Sequence, residues 1–210
     1  VHIAIEDDYM GHIIIADEIK EDAPATIRSL KSLGFNKMIM LTGDSERVGA
    51  SIAKELGLSG YFAELMPEDK VRIYEEIKSK NNSPLIFAGD GLNDAPVIAG
   101  ADIGIAMGIS GSQAAVDYAD LILMDDQPSK IPLAIKYARK TMSIVKQNIY
   151  FSIGIKVFVL IISALGFSNM QYAIFADVGV MILAVLNSLR TMEWSLFSRK
   201  GDESALDTIS

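Results

Sequence analysis

Two carboxylates and an amide stand within one tight loop, Gly89-Asp90-Gly91-Leu92-Asn93-Asp94. Hard oxygen donors, too few to close a cage, suit a Mg²⁺ ion that keeps several waters and shares a phosphate. Two more polar clusters occur at comparable places. Thr42-Gly43-Asp44 follows the apolar run Met38-Ile39-Met40-Leu41; Gly43 lets the backbone approach an anion, and the Thr42 hydroxyl can donate to it. Pro67-Glu68-Asp69-Lys70 opens a helical pattern and sets Lys70 in its first turn, within reach of an anion held nearby. Together Thr42, Gly43, Asp44, Lys70, Asp90, Asn93 and Asp94 read as a Mg²⁺-dependent phosphoryl site. Alone, Thr42-Gly43-Asp44 is equally an ordinary turn and Pro67-Glu68-Asp69-Lys70 an ordinary capped helix start, whereas the two-aspartate loop is less ordinary. Their order along successive strands is what joins them.

The elements that must position these groups alternate. Short apolar runs at 38–41, 61–63, 85–88, 103–106 and 121–124 are separated by helical patterns, the first opened by Pro24 and closed by Gly34, another running to Leu56-Gly57. Apolar strands alternating with helices predict parallel βαβ units and a doubly wound parallel sheet with helices on both faces. In such a sheet the site lies at the carboxyl ends of the strands, where all three clusters fall. Residues 1–16 alternate loosely and predict a hairpin around Asp7, Asp8 and Gly11.

Beyond Gln147 the sequence changes character. Between Ile149 and Leu189 the only charged side chains are Lys156 and Asp177. Two apolar stretches, Ile149–Phe167 and Tyr172–Leu189, flank the uncharged turn Ser168-Asn169-Met170-Gln171, and each is just long enough to cross a bilayer core. A buried hairpin of a soluble bundle is the alternative. Lys140 and Lys146 before the first stretch, with Arg190, Arg199 and Lys200 after the second, favour the membrane and place both ends, with the α/β part, in the cytoplasm. An ionisable residue inside a membrane costs several kcal/mol unless paired or hydrated, which makes it a transport-site hypothesis. Counted from the turn, Lys156 and Asp177 differ in depth by roughly 8 Å, a gap a lysine side chain can partly cover. They read either as an ion site or as a structural pair locking the hairpin. With 19 basic against 27 acidic residues, a nucleic-acid-binding face is not expected; with no cysteine, neither disulfide nor thiolate cage can form. The start at Val1, without a signal-like segment, reads as the inside of a longer polypeptide.

The ordered set Thr42-Gly43-Asp44, Pro67-Glu68-Asp69-Lys70 and Gly89-Asp90-Gly91-Leu92-Asn93-Asp94-Ala95-Pro96 resembles the P-type ATPases, whose phosphorylation domain belongs to the haloacid dehalogenase superfamily. Lys156 in the first apolar stretch, with Asp177-Val178-Gly179 in the second, is similar to the zinc/cadmium/lead subgroup of their heavy-metal branch. The resemblance implies four parts. Residues 1–16 end a nucleotide-binding domain, 17–130 form the phosphorylation domain with Asp17 at the hinge, 131–190 hold a stalk and the last two transmembrane helices, and 191–210 form a cytoplasmic tail. It further implies ATP as substrate, with Mg²⁺ placed by Asp90 and Asp94 and the phosphoryl group held by Thr42 and Lys70. Asp177 is then a ligand of the transported Zn²⁺, Cd²⁺ or Pb²⁺, and Lys156 an internal countercharge that helps expel it. The setting is a multi-pass protein of the cell membrane, whose partners are the lipid bilayer and the remainder of the same polypeptide, with no nucleic acid.

The chain departs from the family by what it lacks. It has no Asp-Lys-Thr-Gly-Thr nucleophile segment, no Thr-Gly-Glu dephosphorylation loop and no Cys-Pro-Cys ion site. Alone it is expected neither to form a phosphoenzyme nor to transport. The rival readings are a P-type ATPase for another ion (copper, potassium or sodium), a membrane-anchored phosphatase of the same superfamily, and a non-catalytic truncated membrane module.

Overall fold

Backbone hydrogen bonding turns the apolar runs into strands with little shift in their bounds. The computed structural model describes residues 2–5, 8–12, 19–89, 92–108, 117–166, 174 and 176–191. The described chain divides into two compact units, residues 1–132 and 133–210.

The first unit opens with the antiparallel pair β1 (His2–Ile5) and β2 (Asp8–His12), whose register shifts between Ile3 and Ala4. Then follow α1 (Ala23–Ser32), β3 (Ile39–Leu41), α2 (Glu46–Leu56), β4 (Gly60–Phe62), α3 (Pro67–Ser79) and β5 (Ile86–Gly89). A 3₁₀ turn, Leu92–Asp94, leads into α4 (Ala95–Gly100), after which come β6 (Ile103–Met107) and β7 (Leu121–Leu123). Strand β3 pairs in parallel with β4, and β5, β6 and β7 form a parallel sheet in that order. Every strand after the hairpin is therefore parallel, as alternation with helices requires. One feature differs from the continuous sheet expected. The parallel strands fall into two separate ladders, because no described segment pairs with the free edges of β3 and β5.

Short α4 holds the densest part of the core. Ile98, Val97 and Ile105 are the most deeply buried large side chains. Ala95, Ile98 and Ala106 form a cluster against which Phe87 and Ala119 pack, and Tyr74 of α3 meets Phe87 edge-on at 6.1 Å. Gly104 is what allows α4 to lie so close: a Cβ there would stand 2.4 Å from the Ile98 carbonyl oxygen. Helix α3 is tied to the second ladder by two hydrogen bonds of one hydroxyl. Tyr74 Oη donates to the Leu85 carbonyl (3.4 Å) and accepts the Asp102 N–H (3.0 Å). Asp102 returns the link by accepting the Leu85 N–H (3.0 Å) and pairing with Lys78 at 2.8 Å.

In the second unit the long helix Lys130–Ala164 has 35 residues, and it contains an apolar window long enough to cross a membrane, none of it buried inside the structure. Residues 176–191 form a second helix. Phe158, Leu160, Ile161, Met181, Ile182 and Leu186 are all more than half exposed, so these helices present apolar surface that no other described residue covers. Asp17 and residues 192–210, to which a hinge and a tail were assigned from sequence, lie outside the described residues.

Two outcomes follow for stability. Gly104→Ala forces the backbone of α4 away from β6 and lowers unfolding free energy by about 1–3 kcal/mol, measured by chemical denaturation. Lys78, and then the Leu85 N–H, hold the Asp102 carboxyl below the ordinary carboxylate range. A depressed folded value means that the unfolded chain binds the proton more readily. The contribution of Asp102 is thus complete above about pH 4 and disappears as pH falls through the folded value. Asp102→Asn accordingly lowers Tm at neutral pH and converges on the parent protein in acid.

Candidate functional site

Helix α3 starts where Pro67 presets the backbone angle at the first helical position and Asp69 turns back to accept the Met66 N–H (3.3 Å). That start fixes Lys70, whose own N–H makes the first turn's bond to Met66 O (3.2 Å). An ammonium at a helix N-terminus opposes the helix dipole, at a cost of about 0.3–1 kcal/mol. A partner offsets it: Lys70 Nζ lies 2.7 Å from Asp94 Oδ1. The pair is largely withdrawn from water, with the two side chains only 14% and 12% exposed.

Asp94 ends the 3₁₀ turn and stands at the start of α4. Its second oxygen, Oδ2, sits against Gly89, where an added Cβ would be 2.7 Å away. The glycine at the end of β5 is thus required by the carboxylate beside it. Asn93 is exposed on the same turn, while Asp90 and Gly91 lie outside the described residues.

The Thr42 cluster hangs from the end of β3. The Thr42 N–H donates to Phe62 O (2.9 Å), and its carbonyl accepts the Leu65 N–H (3.1 Å). Its hydroxyl donates to Asp44 Oδ2 (2.7 Å) and accepts the Asp44 N–H (3.1 Å), closing a tight turn around Gly43. The hydroxyl expected to face an anion therefore has its proton on Asp44, and it must rotate to serve one. Gly43 is a point of close approach, since a Cβ there would meet Leu65 O at 3.3 Å. The next segment carries the strain: Glu64 adopts φ 56°, a left-handed backbone that non-glycine residues rarely take, and its N–H donates to Asp44 O (2.8 Å). Glu64, Leu65 and Met66 thus run directly from the Thr42 turn into the helix of Lys70. Nothing in the sequence marked Glu64, because its residue type gives no hint of a positive φ.

In the second unit Lys156 Nζ lies 3.2 Å from Asp177 Oδ1. The pair borders an open groove of about 540 Å³ lined by Ile155, Val159, Leu160, Ser163 and Val180, and both side chains are about two-thirds exposed. Among the described residues no group of three metal-ligating side chains occurs.

Breaking the Lys70–Asp94 pair strands a carboxylate in a poorly solvated place. Lys70→Met lowers unfolding free energy by about 3 kcal/mol, and Lys70→Met combined with Asp94→Leu restores most of it, read by denaturant titration.

Residues 1–102 match the family model of haloacid dehalogenase-like hydrolases. The chain is 53% identical over 194 residues to the cadmium, zinc and cobalt-transporting ATPase of Bacillus subtilis, covering 91% of this chain and 28% of that protein. It is 52% identical over 191 residues to the zinc-transporting ATPase of Synechocystis, covering 90% and 26%. A crystal structure of a zinc-transporting PIB-type ATPase in the E2.Pi state superposes with a TM-score of 0.79 at 39% identity, covering 89% of this chain and 30% of that one. The chain thus spans a little over a quarter of the length of the curated relatives it matches. Along nine-tenths of its length, and in fold, the chain is therefore similar to a part of zinc- and cadmium-transporting ATPases, the part that carries a haloacid dehalogenase-like domain.

Proposed function

We propose that this chain is part of an ATP-driven exporter of Zn²⁺, Cd²⁺ or Pb²⁺, in which phosphorylation and hydrolysis of an aspartate are coupled to ion release. The observation that carries the reading is the coexistence of two charge pairs in two different solvents. Lys70–Asp94 lies largely withdrawn from water where α3 starts beside the end of β5, and Lys156–Asp177 lies between two apolar helices.

At the first site Lys70 and the Thr42 hydroxyl hold the phosphoryl group, with the Gly43 backbone in close approach and Asp44 orienting Thr42. Asp94 offers a hard oxygen, Oδ2, beside Gly89, and its Oδ1 is balanced by Lys70. That donor chemistry fits Mg²⁺, with Asp90 as the second carboxylate and Asn93 beside it. When bound, Mg²⁺ neutralises charge on the phosphate oxygens. The protein's part is to deliver Lys70 and Asp94 already paired, so that little reorganisation is left for the reaction. The aspartyl nucleophile comes from the remainder of the polypeptide, and the free edges of β3 and β5 are places where a strand can add.

At the second site the helices cross the lipid bilayer of the cell membrane, with the α/β unit and the far end of residues 176–191 on the cytoplasmic side. Asp177 is a ligand of the transported ion. With the ion absent, Lys156 neutralises that carboxylate. With the ion bound, the ammonium repels a divalent cation, and this repulsion favours release when the site opens outward. The assignments of 1–16, 17–130, 131–190 and 191–210 to nucleotide-binding, phosphorylation, membrane and tail parts, with Asp17 at the hinge, belong to the same proposal.

The test is ATP hydrolysis by the complete polypeptide. Stimulation by Zn²⁺, Cd²⁺ and Pb²⁺ that collapses in Asp177→Ala supports the ion site. Stimulation by Cu⁺ alone, or indifference to the substitution, overturns it.

A further inference from the structure

A second polar cluster lies between the two apolar helices. Asn148 Nδ2 donates to Ala184 O (3.2 Å) and to Ser188 Oγ (3.0 Å), while Asn187 Nδ2 donates to Asn148 Oδ1 (2.8 Å). Arg190 Nη1 donates to Asn187 Oδ1 (3.1 Å), which leaves the amide nitrogen of Asn187 to face its partner helix. Ser188 Oγ in turn donates to Ala184 O (2.9 Å). The directions of these bonds are mutually consistent, each side-chain amide giving its nitrogen and accepting at its oxygen.

The contacts also share a geometry. Asn148 meets Asn187, and Lys156 meets Asp177, so the chain order reverses across the interface and the helices are antiparallel. From Asn148 to Lys156 is about 12 Å of helix rise, and from Asp177 to Asn187 about 15 Å. The two contacts therefore demand nearly the same axial register. Little else does. The facing surfaces consist mostly of isoleucine, leucine and valine, which in lipid gain almost nothing from one another over acyl chains, and which fit nearly as well one turn away. An amide left unpaired near hydrocarbon is costly, so the amides penalise the slip that the aliphatic residues allow.

We propose that Asn148 and Asn187, with Arg190 orienting Asn187 and Ser188 merely accepting a further bond, form a polar latch that sets the axial register of the two helices and thereby places Lys156 opposite Asp177. These are positioning residues. Their importance for transport rests on the ion-site reading above, whereas the register itself does not.

The chain has no cysteine, so Met142→Cys and Met181→Cys, both at exposed positions on the two helices, give a unique spin-label pair in the full 210-residue chain in lipid nanodiscs. The labels are staggered along the axis, so a slip of one turn changes their separation by up to about 5 Å. The parent gives one narrow distance by double electron–electron resonance. Asn148→Leu and Asn187→Leu each broaden it or shift it by up to that amount, and the two together do no more than either alone. Ser188→Ala keeps the Asn148–Asn187 bond and retains the parent distance. Lys156→Met with Asp177→Leu also retains it, because the latch remains. An unchanged narrow distance in both asparagine variants overturns the proposal, as does a shift that follows removal of the ion pair instead. Failure of the ion-site reading shows elsewhere, as metal stimulation of the complete polypeptide that survives Asp177→Ala while the label distances behave as described.

Discussion

An ammonium and a carboxylate held 2.7 Å apart with little water around them constrain everything nearby. Neither partner is comfortable without the other: Lys70 faces the positive end of its helix, and Asp94 is almost buried. The pair therefore dictates where α3 begins, where the 3₁₀ turn ends, and that position 89 carries no side chain. It also fixes the start of α3 to the turn that follows β5. Tyr74 and Lys78, further along α3, repeat the join at the Leu85–Asp102 corner, so one helix is fixed at both ends to the second ladder.

The second unit solves a different problem. Its helices expose isoleucine, leucine and phenylalanine over most of their length, and in water that surface has no stable partner. In an apolar medium the hydrophobic drive between helices vanishes, and polar contacts become the source of specificity. Between these helices the chain has two polar contacts, one ionic and one of amides, on a common register. Charge pairing occurs in both units, but its setting differs: Lys70–Asp94 is largely withdrawn from water at a helix start, and Lys156–Asp177 is two-thirds exposed between apolar helices.

Much of this was legible in the sequence because it was written in period and punctuation. The runs at Met38–Leu41, Leu85–Ala88 and Leu121–Met124 became β3, β5 and β7 within a residue or so, and the helix opened by Pro24 lies over Ala23–Ser32. Lys70 and Asp94 could be named from their motifs, but their contact could not, since it depends on how α3 and α4 lean on β5. The division into two ladders was also hidden: an apolar run declares itself a strand without declaring its neighbours. Glu64 gave no signal at all. Asn148 and Asn187 gave one that is easy to see afterwards, as amides bracketing the two apolar stretches, but an asparagine at the edge of such a stretch is also an ordinary interfacial residue. Which of the two it is depends on the register, and the register is a tertiary fact.

Lys70 and Asp94 are proposed to work as one unit in phosphoryl transfer. The most direct measurement is metal-dependent formation of the acid-stable phosphoenzyme from labelled ATP by the complete polypeptide, comparing the parent with a Lys70→Gln/Asp94→Asn variant. That variant keeps a neutral hydrogen-bonded pair of similar shape, so the fold is retained while the charges are removed. Their joint role predicts Zn²⁺-dependent labelling in the parent and its loss in the variant at nearly unchanged Tm. Undiminished labelling in the variant would contradict it.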